Sequence, residues 1–292
     1  MILVTGGAGF IGSHVVDALV SGGEEVVVLD DFSSGDRLNL SKRVRTVEAD
    51  VADPNVVDAI ATLDIEAVVH AAAQVSVAAS MSDPARDLAV NARGTANALA
   101  GAKAAGAERF VFLSTGGGIY GESDGADEET LPRPMSYYSA HKCLAERYVQ
   151  FSGISYANAR LANVYGPRQR KDLEGGVVAI FAERLRNELP ILINGSGEQS
   201  RDFVHVDDVV EALLLMARSR RDGTWNVGTG RATSILELLR AMEQKMGSVV
   251  EVEHGPSRPG DVGHSRLSVD KIESELGWRP QRDLPSGLAD TL

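Results

Sequence analysis

Residues 1–12 read Met-Ile-Leu-Val-Thr-Gly-Gly-Ala-Gly-Phe-Ile-Gly, an apolar run that ends in a cluster of glycines. Gly7, Gly9 and Gly12 form the pattern Gly-x-Gly-x-x-Gly, and Phe10–Val20 then carries apolar residues at helical spacing. A strand, a glycine turn and a helix in this order are typical of a dinucleotide-binding unit. The glycines allow a tight turn and bring the backbone close to a diphosphate, which the N–H groups at the helix start can bind.

Strand-like and helix-like patterns alternate through the first half of the chain. Nearly continuous apolar runs, typical of strands covered on both faces, lie at Glu25–Asp30, Val44–Glu48, Ala67–His70, Arg109–Ser114 and Ser155–Leu161. Helices are predicted between them at Pro54–Leu63, Pro84–Ala105 and Tyr138–Phe151. The predicted fold class is therefore α/β, a Rossmann-type doubly wound parallel sheet.

The pattern is less regular after Gly166. Helices are predicted at Val177–Asn187, Asp207–Arg218 and Ser234–Met246, the last with Ser234 as N-cap, and a short strand at Pro190–Ile193. The acidic run Asp124–Glu129 is most simply a solvated loop. We interpret residues 1–165 as the dinucleotide-binding domain and residues 166–292 as mainly a smaller α/β substrate-binding lobe, interleaved with the first domain.

The composition is that of a globular protein. Of the 292 residues, 43% are hydrophobic and 24% charged, and no apolar run approaches the about 20 residues that span a membrane. The 29 basic and 41 acidic side chains leave a net charge of −12, which disfavours binding to nucleic acid or to a membrane surface. The N-terminus does not read as a signal peptide, and the single cysteine, Cys143, excludes an internal disulfide, so we expect a cytoplasmic setting.

Two acidic positions favour a particular cofactor. Asp30 closes the second strand 18 residues after Gly12, where a carboxylate accepts hydrogen bonds from the adenosine ribose and repels a 2′-phosphate. No arginine follows in residues 31–34, so the sequence favours NAD over NADP. Asp50 and Val51 follow the third strand and are weaker candidates for contact with the adenine edge.

A second motif suggests acid–base chemistry. Tyr138 and Lys142 are four residues apart on a predicted helix, which places both side chains on one face. An ammonium beside a phenol favours the phenolate, so such a tyrosine can act as a base near neutral pH. Tyr137 is the competing tyrosine, but the residue four positions later is His141 rather than lysine. Ser114 and Thr115 end a preceding strand and strengthen the pattern.

Together these residues resemble the extended short-chain dehydrogenase/reductase family, and within it the NAD-dependent nucleotide-sugar epimerase/dehydratase group, closest to the UDP-glucose 4-epimerases. The resemblance runs over nearly the whole chain. It rests on Thr5–Gly12, His70–Ala73, Asn91-x-x-Gly94-Thr95, Leu113–Thr115, Tyr138-x-x-x-Lys142, Asn163–Arg168, Gly195–Val206 and Arg258–Asp261.

The resemblance implies a reversible redox cycle on a UDP-hexose. Tyr138 would take the proton from the sugar 4-hydroxyl, Thr115 would hydrogen-bond the sugar 4-oxygen, and Lys142 would hold the nicotinamide ribose and lower the pKa of the tyrosine. Hydride would pass from sugar C4 to NAD and return to the other face of the sugar. Relatives dimerise through a four-helix bundle, so we expect a homodimer formed by Pro84–Ala105 and Tyr138–Phe151.

The resemblance also implies two sets of binding residues. No metal site is expected, because His14, His70, His141 and His205 lack metal-ligand spacing. The cofactor-binding set is Gly6, Gly9, Phe10, Ile11, Gly12, Asp30, Asp31, Ser33, Asp50, Val51, Ala71, Ala72, Ala73, Asn91, Ser114, Tyr138 and Lys142. The substrate-binding set is Ser114, Thr115, Tyr138, Asn163, Val178, Arg201, Arg258 and Asp261.

Departures from the family pattern limit which reactions and substrates we expect. The 4,6-dehydratases carry Asp-Glu directly after the threonine, and Gly116 and Gly117 cannot supply that acid and base. Ser265 is small at a position where bulk restricts the sugar pocket, which suggests that N-acetylated sugars are accepted. The alternatives are a reductase or decarboxylase acting on another nucleotide sugar, and a non-enzymatic NAD-sensing protein. The Ser114, Thr115, Tyr138 and Lys142 set argues against the sensor, which needs no base.

Overall fold

A computed structural model describes residues 1–172, 176–257 and 262–292. Its strands are β1 (Ile2–Thr5), β2 (Val26–Asp30), β3 (Arg45–Glu48), β4 (Ala67–His70), β5 (Arg109–Thr115), β6 (Ser123–Ala126), β7 (Ser155–Leu161), β8 (Asn163–Tyr165), β9 (Ile191–Asn194), β10 (Ser200–Arg201), β11 (Phe203–His205), β12 (Gly223–Val227), β13 (Thr233–Ser234), β14 (Val252–Gly255) and β15 (His264–Leu267). Its α-helices are α1 (Phe10–Ser21), α2 (Val56–Ala61), α3 (Val77–Ser82), α4 (Pro84–Asp87), α5 (Gly94–Ala104), α6 (Gly116–Ile119), α7 (Tyr137–Phe151), α8 (Val177–Arg186), α9 (Val206–Arg218), α10 (Ile235–Met246), α11 (Asp270–Leu276) and α12 (Leu284–Thr291).

Seven parallel strands of the described chain form the main sheet, in the order β12-β7-β5-β4-β1-β2-β3. The order reverses between β1 and β4, as in a doubly wound sheet. The predicted α/β fold class is confirmed. A four-stranded sheet in the order β13-β10-β15-β6 and the pairs β8–β11 and β9–β14 belong largely to the second half of the chain.

The central strands are covered on both faces, which explains their continuous apolar runs. Alternate side chains point to opposite sides, so Ile2 and Val4 enter one core cluster and Leu3 the other. The first cluster is completed by α1 and α9, and the second by α2, α5 and α7. Helix α9 and strand β12 come from the second half of the chain, so residues beyond 165 complete both the sheet and one of its covering layers.

Two segments differ from the sequence prediction. The predicted helix Pro84–Ala105 is interrupted by a π-helical segment, Leu88–Arg93, which separates α4 from α5. The acidic run Asp124–Glu129 is only partly a solvated loop, because its first residues form β6, which pairs in parallel with β15. Neither feature has a periodic apolar pattern, and the pairing of β6 joins residues about 140 positions apart.

No helix in the described residues is both long enough and apolar enough to cross a membrane. Ser234 caps α10 as predicted, in a reciprocal arrangement with Glu237.

We predict that Gly12→Ala lowers the free energy of unfolding by about 3 kcal/mol, because a Cβ at Gly12 would overlap the carbonyl oxygen of Gly6. The backbone of β1 and the start of α1 would have to separate. Urea unfolding followed by circular dichroism measures the change. Gly22→Ala is the matched control, since Gly22 ends the same helix in a helical conformation at φ −77°. Equal effects of the two substitutions would contradict the close-packing argument.

Candidate active site

The carboxyl ends of β1, β4 and β5 meet where the strand order reverses. From this point the chain runs outward to β2 on one side and to β5 on the other. Loops that follow neighbouring strands diverge at such a switch point and leave a crevice for a ligand. The glycine turn after β1, the small residues after β4 and Thr115 at the end of β5 all lie at this edge.

The glycine turn is packed backbone against backbone. Gly6 has φ +66°, and a Cβ there would lie 2.5 Å from the amide nitrogen of Ala72, in the loop Ala71–Ala73. A Cβ at Gly12 would overlap Gly6. Gly9 caps α1 without a side-chain hydrogen bond, and the first turn of the helix holds no acidic residue. A helix start with these properties leaves its N–H groups available to a diphosphate, so the residues present fit a dinucleotide.

Asp30 is the buried acid at the end of β2, with 6% of its surface exposed. Its two carboxylate oxygens accept hydrogen bonds from the backbone N–H groups of Ala8 and Phe32, each at 2.9 Å. Burial raises the pKa of Asp30, and these two hydrogen bonds oppose the shift. Each oxygen can accept a further hydrogen bond, so the carboxylate is oriented for a ribose hydroxyl.

An arginine that sequence reasoning missed lies beside this acid. The guanidinium of Arg37 stacks 3.6 Å from the ring centroid of Phe32 and is paired with Glu48. The prediction of NAD over NADP rested on residues 31–34, and Arg37 lies three positions beyond them. Asp31 accepts hydrogen bonds from the backbone and hydroxyl of Ser33, so these two predicted cofactor residues are bonded to each other.

A directed hydrogen-bond chain holds the loop after β4. The Oγ1 of Thr95 donates to the carbonyl of Asn91 at 2.7 Å, so it accepts from Nε2 of His70, at 3.1 Å. The other ring nitrogen of His70 then accepts from Thr5 Oγ1, at 2.7 Å, and Thr5 Oγ1 in turn accepts from the amide of Ala72. Burial, together with the charge of Lys142, lowers the pKa of His70 to about 3, so the ring is neutral. His70 was quoted from the sequence only as part of a motif, and this chain gives it a structural role.

The Tyr-x-x-x-Lys pair lies on α7, which begins after Ser136. The Ser136 side chain accepts a hydrogen bond from the backbone of Ser139, a capping box that fixes the first turn. Tyr138 and Lys142 consequently share one face, and Lys142 is 3% exposed. Tyr137, the competing tyrosine, is half exposed and stacks on another side chain of the same helix.

Burial moves both pKa values of this pair away from their usual range. Burial and, to a smaller extent, the charge of Asp87 raise the pKa of Tyr138 to about 12, against the opposing effect of a side-chain hydrogen bond with Thr115. Burial lowers the pKa of Lys142 to about 7, against the opposing effects of Glu146 and Asp87. Thr115 and Tyr138 are thus joined by a hydrogen bond, and the buried Lys142 lies one helical turn beyond Tyr138 on the same helix.

Ser114 is part of a buried charged network. Its hydroxyl donates to Glu146 at 2.6 Å, and Glu146 forms an ion pair with Arg160 at 2.7 Å. Arg160 also donates to the hydroxyl of Tyr120, which donates to the side chain of Asn226 in β12. The hydroxyl hydrogen of Ser114 is therefore used in the bond to Glu146. At the end of β5 it is Thr115, not Ser114, that forms a hydrogen bond with Tyr138.

Small residues also lie around Thr115, on the side of the second half of the chain. A Cβ at Gly117 would lie 3.2 Å from the Oδ1 of Asn163, and one at Gly118 would lie 3.4 Å from the Oγ1 of Thr115. The buried hydroxyl of Ser265 is 3.4 Å from the carbonyl of Gly117. These three segments, from β8, the α6 turn and β15, meet next to Thr115.

The remaining residues predicted to bind the substrate lie in different surroundings. Arg201 is buried, with its guanidinium on the carbonyls of Ser200 and Gly263 at 2.8 and 3.3 Å. Val178 lies in the apolar core of the second half of the chain. Arg258 and Asp261 lie outside the described residues.

The predicted adenine contacts lie at the edge of the crevice. Asp50 accepts a hydrogen bond from the amide of Ala52 at 2.8 Å. Val51 is buried under α5, where a Cβ at Gly94 would lie 2.8 Å from it. The carbonyl of Val51 is fixed by the side chain of Asn97 at 2.9 Å.

Among the described residues, one group of side chains has the composition of a metal site. It consists of His205, Asp207 and Asp290. Arg282 forms ion pairs with both aspartates, so its guanidinium already compensates their charge. His205 ends β11, Asp207 lies in the first turn of α9 and Asp290 lies in α12, so none of the three follows β1, β4 or β5.

Comparison with known proteins gives consistent results. The model of the NAD-dependent epimerase/dehydratase family matches residues 2–228. The UDP-glucose 4-epimerase of Mycolicibacterium smegmatis is 40% identical over 302 residues, which cover 99% of this chain and 96% of the relative. The UDP-glucose 4-epimerase of Thermus thermophilus, solved with NAD, has a TM-score of 0.95 at 42% identity and covers 99% of this chain and 97% of its own. That of Thermotoga maritima, solved with UDP-glucose, has a TM-score of 0.96 at 43% identity, with coverage of 99% and 96%.

We predict that Arg160→Met alone lowers the free energy of unfolding by about 3–5 kcal/mol, because it leaves the carboxylate of Glu146 buried without its cation. Adding Glu146→Gln should restore part of this loss, since the pair is then removed as a unit. Urea unfolding of the single and double variants measures both effects. Arg279→Met removes a solvent-exposed ion pair and should cost less than about 1 kcal/mol. A double variant as unstable as the sum of its parts would contradict the pairing argument.

Proposed function

This chain belongs to the NAD-dependent epimerase/dehydratase family, and we propose that it interconverts UDP-glucose and UDP-galactose by epimerisation at sugar C4. The observation that carries the proposal is the cluster of Thr115, Tyr138 and Lys142 beside the glycine turn, at the switch point of the sheet. The likeness to UDP-glucose 4-epimerases over the whole chain supports it. In this proposal residues 1–165 bind NAD, and residues 166–292 mainly bind the nucleotide sugar.

The cofactor would lie along the ends of β1, β2 and β4. The N–H groups after Gly9 would bind its diphosphate, and Asp30 would accept hydrogen bonds from the adenosine ribose. The loop Ala71–Ala73, held by Thr5, is formed of small residues and leaves space beside the glycine turn. When bound, NAD supplies the acceptor for the C4 hydride and the positive charge of its oxidised ring.

Tyr138 is the proposed base. Its phenolic oxygen would take the proton of the sugar 4-hydroxyl and return it when the product forms. The hydrogen bond with Thr115 lowers the pKa of Tyr138, and Thr115 can also bind the sugar 4-oxygen. The ammonium of Lys142 on the same helix face would stabilise the phenolate and hold the nicotinamide ribose.

The glycines of α6, directly after Thr115, favour epimerisation over dehydration. Elimination of water needs an acid and a base next to C4, and Gly116 and Gly117 offer neither. The space next to Asn163 and Ser265 would accommodate the sugar ring in two orientations. The buried serine at position 265 leaves room for an N-acetyl group, so UDP-N-acetylhexoses are proposed as further substrates.

A reducing compartment fits the chemistry of the chain. The single thiol, Cys143, is partly buried, and burial raises its pKa, which keeps it protonated and unreactive. We therefore propose a cytoplasmic enzyme.

We predict that the purified protein converts UDP-galactose to UDP-glucose with NAD present and no added reductant. Tyr138→Phe should lower turnover about 10³-fold while NAD stays bound, because the ring is kept and only the proton-transferring oxygen is lost. Chromatography of the nucleotide sugars measures conversion, and cofactor released on denaturation measures NAD content. Tyr137→Phe is the matched control and should retain activity.

Other outcomes would redirect the proposal. Conversion only of UDP-N-acetylgalactosamine would change the substrate, and would support the argument from Ser265. Stoichiometric consumption of a reduced cofactor, or release of carbon dioxide from a UDP-uronic acid, would replace epimerisation with reduction or decarboxylation. Loss of NAD in Tyr138→Phe would make Tyr138 a binding residue rather than a base.

The protein is further proposed to be a homodimer. Helices α5 and α7 form a mainly apolar groove on the surface, lined by Ala96, Leu99, Ala100, Leu144, Tyr148 and Phe151, with Lys103, Arg147 and Ser152 also in the lining. Phe151 is 84% exposed, and Leu144 and Tyr148 are about half exposed. A contiguous apolar face of this kind is typical of an association surface. The same two helices from a second copy would complete a four-helix bundle.

We predict that Phe151→Glu combined with Leu144→Glu yields a monomer, because each substitution buries a charge in the proposed interface. Light scattering after size-exclusion chromatography measures the mass. Val249→Glu is the control, since Val249 is 81% exposed but lies in the second half of the chain, outside these helices. A wild-type protein that is monomeric at every concentration would contradict the dimer.

A further inference from the structure

The strongest unassigned feature near the pocket is the carboxylate of Asp87. It is the last residue of α4, where the π-helical segment begins, and it is 1% exposed. Its Oδ1 is 2.6 Å from the Nδ1 of His141. Its Oδ2 accepts from the side-chain amides of Gln74 at 2.6 Å and Asn91 at 3.0 Å. The reaction proposed above gives this group no role.

The three partners of Asp87 come from three elements that border the pocket. Gln74 follows the loop Ala71–Ala73, and its backbone is also bonded to Asn91 in both directions, at 2.9 and 3.1 Å. Asn91 belongs to the π-helical segment. His141 lies on α7, between Tyr138 and Lys142 in the sequence. A single buried carboxylate therefore joins the cofactor loop to the helix that carries the acid–base pair.

The charge of Asp87 is compensated differently from that of Glu146. Glu146 lies one helical turn beyond Lys142 and is paired with the guanidinium of Arg160, whose positive charge offsets its field. In the described part of the chain, the ion pair that Asp87 makes is with His141, which carries charge only when protonated. Both anions raise the pKa of Lys142, Glu146 by more than Asp87, and Asp87 is the one of the two that has no permanently charged partner among the ion pairs of the described residues.

We propose that Asp87 is a positioning residue for the reaction, whose buried carboxylate fixes the cofactor loop against α7 and places a negative charge next to the helix that carries Tyr138 and Lys142. The proposal rests on the function proposed above. His141 is the partner that holds this carboxylate from α7. The role does not require Asp87 to touch the substrate.

The direction of the effect follows from the groups around the pair. The charged and titratable groups that act on Lys142 or feel its charge are Glu146 from its own helix, Asp87 from α4 and His70 from β4. His70 is neutral and does not offset Asp87. A negative charge stabilises a cation and destabilises a second anion, so Asp87 raises the pKa of both Lys142 and Tyr138. Removing its charge should lower both values.

Asp87→Asn tests this inference, with Asp208→Asn as the matched control. Asp208 is also a buried carboxylate, and it holds a loop by accepting hydrogen bonds from the amides of Gln281 and Arg282. Activity requires the Tyr138 phenolate and the Lys142 ammonium, so the two limbs of kcat against pH report the ionisation of these two groups as a pair. In Asp87→Asn both limbs should move to lower pH by about half a unit or more. A purely structural role would lower stability in both variants and leave the limbs in place.

A second variant and a second readout keep the test decisive. If Asp87→Asn does not fold, Asp87→Asn combined with His141→Gln replaces the pair by two neutral amides, and the same shift is expected. The titration of Tyr138 is also followed without substrate, as the ultraviolet difference between NAD-loaded protein and its Tyr138→Phe form. Its midpoint should move to lower pH with Asp87→Asn and not with Asp208→Asn. An unmoved midpoint would overturn the role of Asp87, whereas a moved midpoint in a protein without epimerase activity would overturn only the proposed reaction.

Discussion

The ion pair of Glu146 and Arg160 is the interaction on which the arrangement of the site depends. A buried ion pair must offset a large desolvation cost, so it is tolerated only where its geometry is close to ideal. Glu146 receives both the Arg160 guanidinium and the Ser114 hydroxyl, which fixes α7 against β7 and the end of β5 at once. Arg160 continues through Tyr120 to Asn226, in the outermost strand of the sheet.

This connection explains how the two halves of the chain hold one pocket. The side chain of Asn226 donates to the carbonyls of Ala126 and Ser268, at the ends of β6 and β15. The same β15 carries Ser265 next to the glycine turn after Thr115. A displacement of the second half would therefore have to break hydrogen bonds that end on the helix bearing Tyr138 and Lys142. The pocket wall and the acid–base pair are coupled through groups that have no water to replace their partners.

Sequence reasoning went furthest where local rules decide the structure. The glycine turn, its flanking strand and helix, and the Tyr-x-x-x-Lys face each follow from spacing within about a dozen residues. The π-helical segment and the strand β12 were not predicted, because neither has a periodic apolar pattern and both depend on distant partners. Asp87 lay inside a predicted helix, and no local signal showed that three side chains from separate elements converge on it. Arg37 was missed for a related reason, since its position over the ring of Phe32 depends on the folded path of residues 32–37.

The glycines after Thr115 link the choice of reaction to the shape of the pocket. Side chains at Gly117 and Gly118 would approach Asn163 and Thr115 at 3.2 and 3.4 Å, so any larger residue would occupy the space next to the reacting group. Removing side chains here also removes the acid and base that elimination needs. Epimerisation makes the opposite demand, because the 4-keto sugar has to present both faces to the same hydride donor. A wall of backbone satisfies that demand, while Tyr138 remains on the rigid side of the pocket, where helix α7 is held by its buried ion pair.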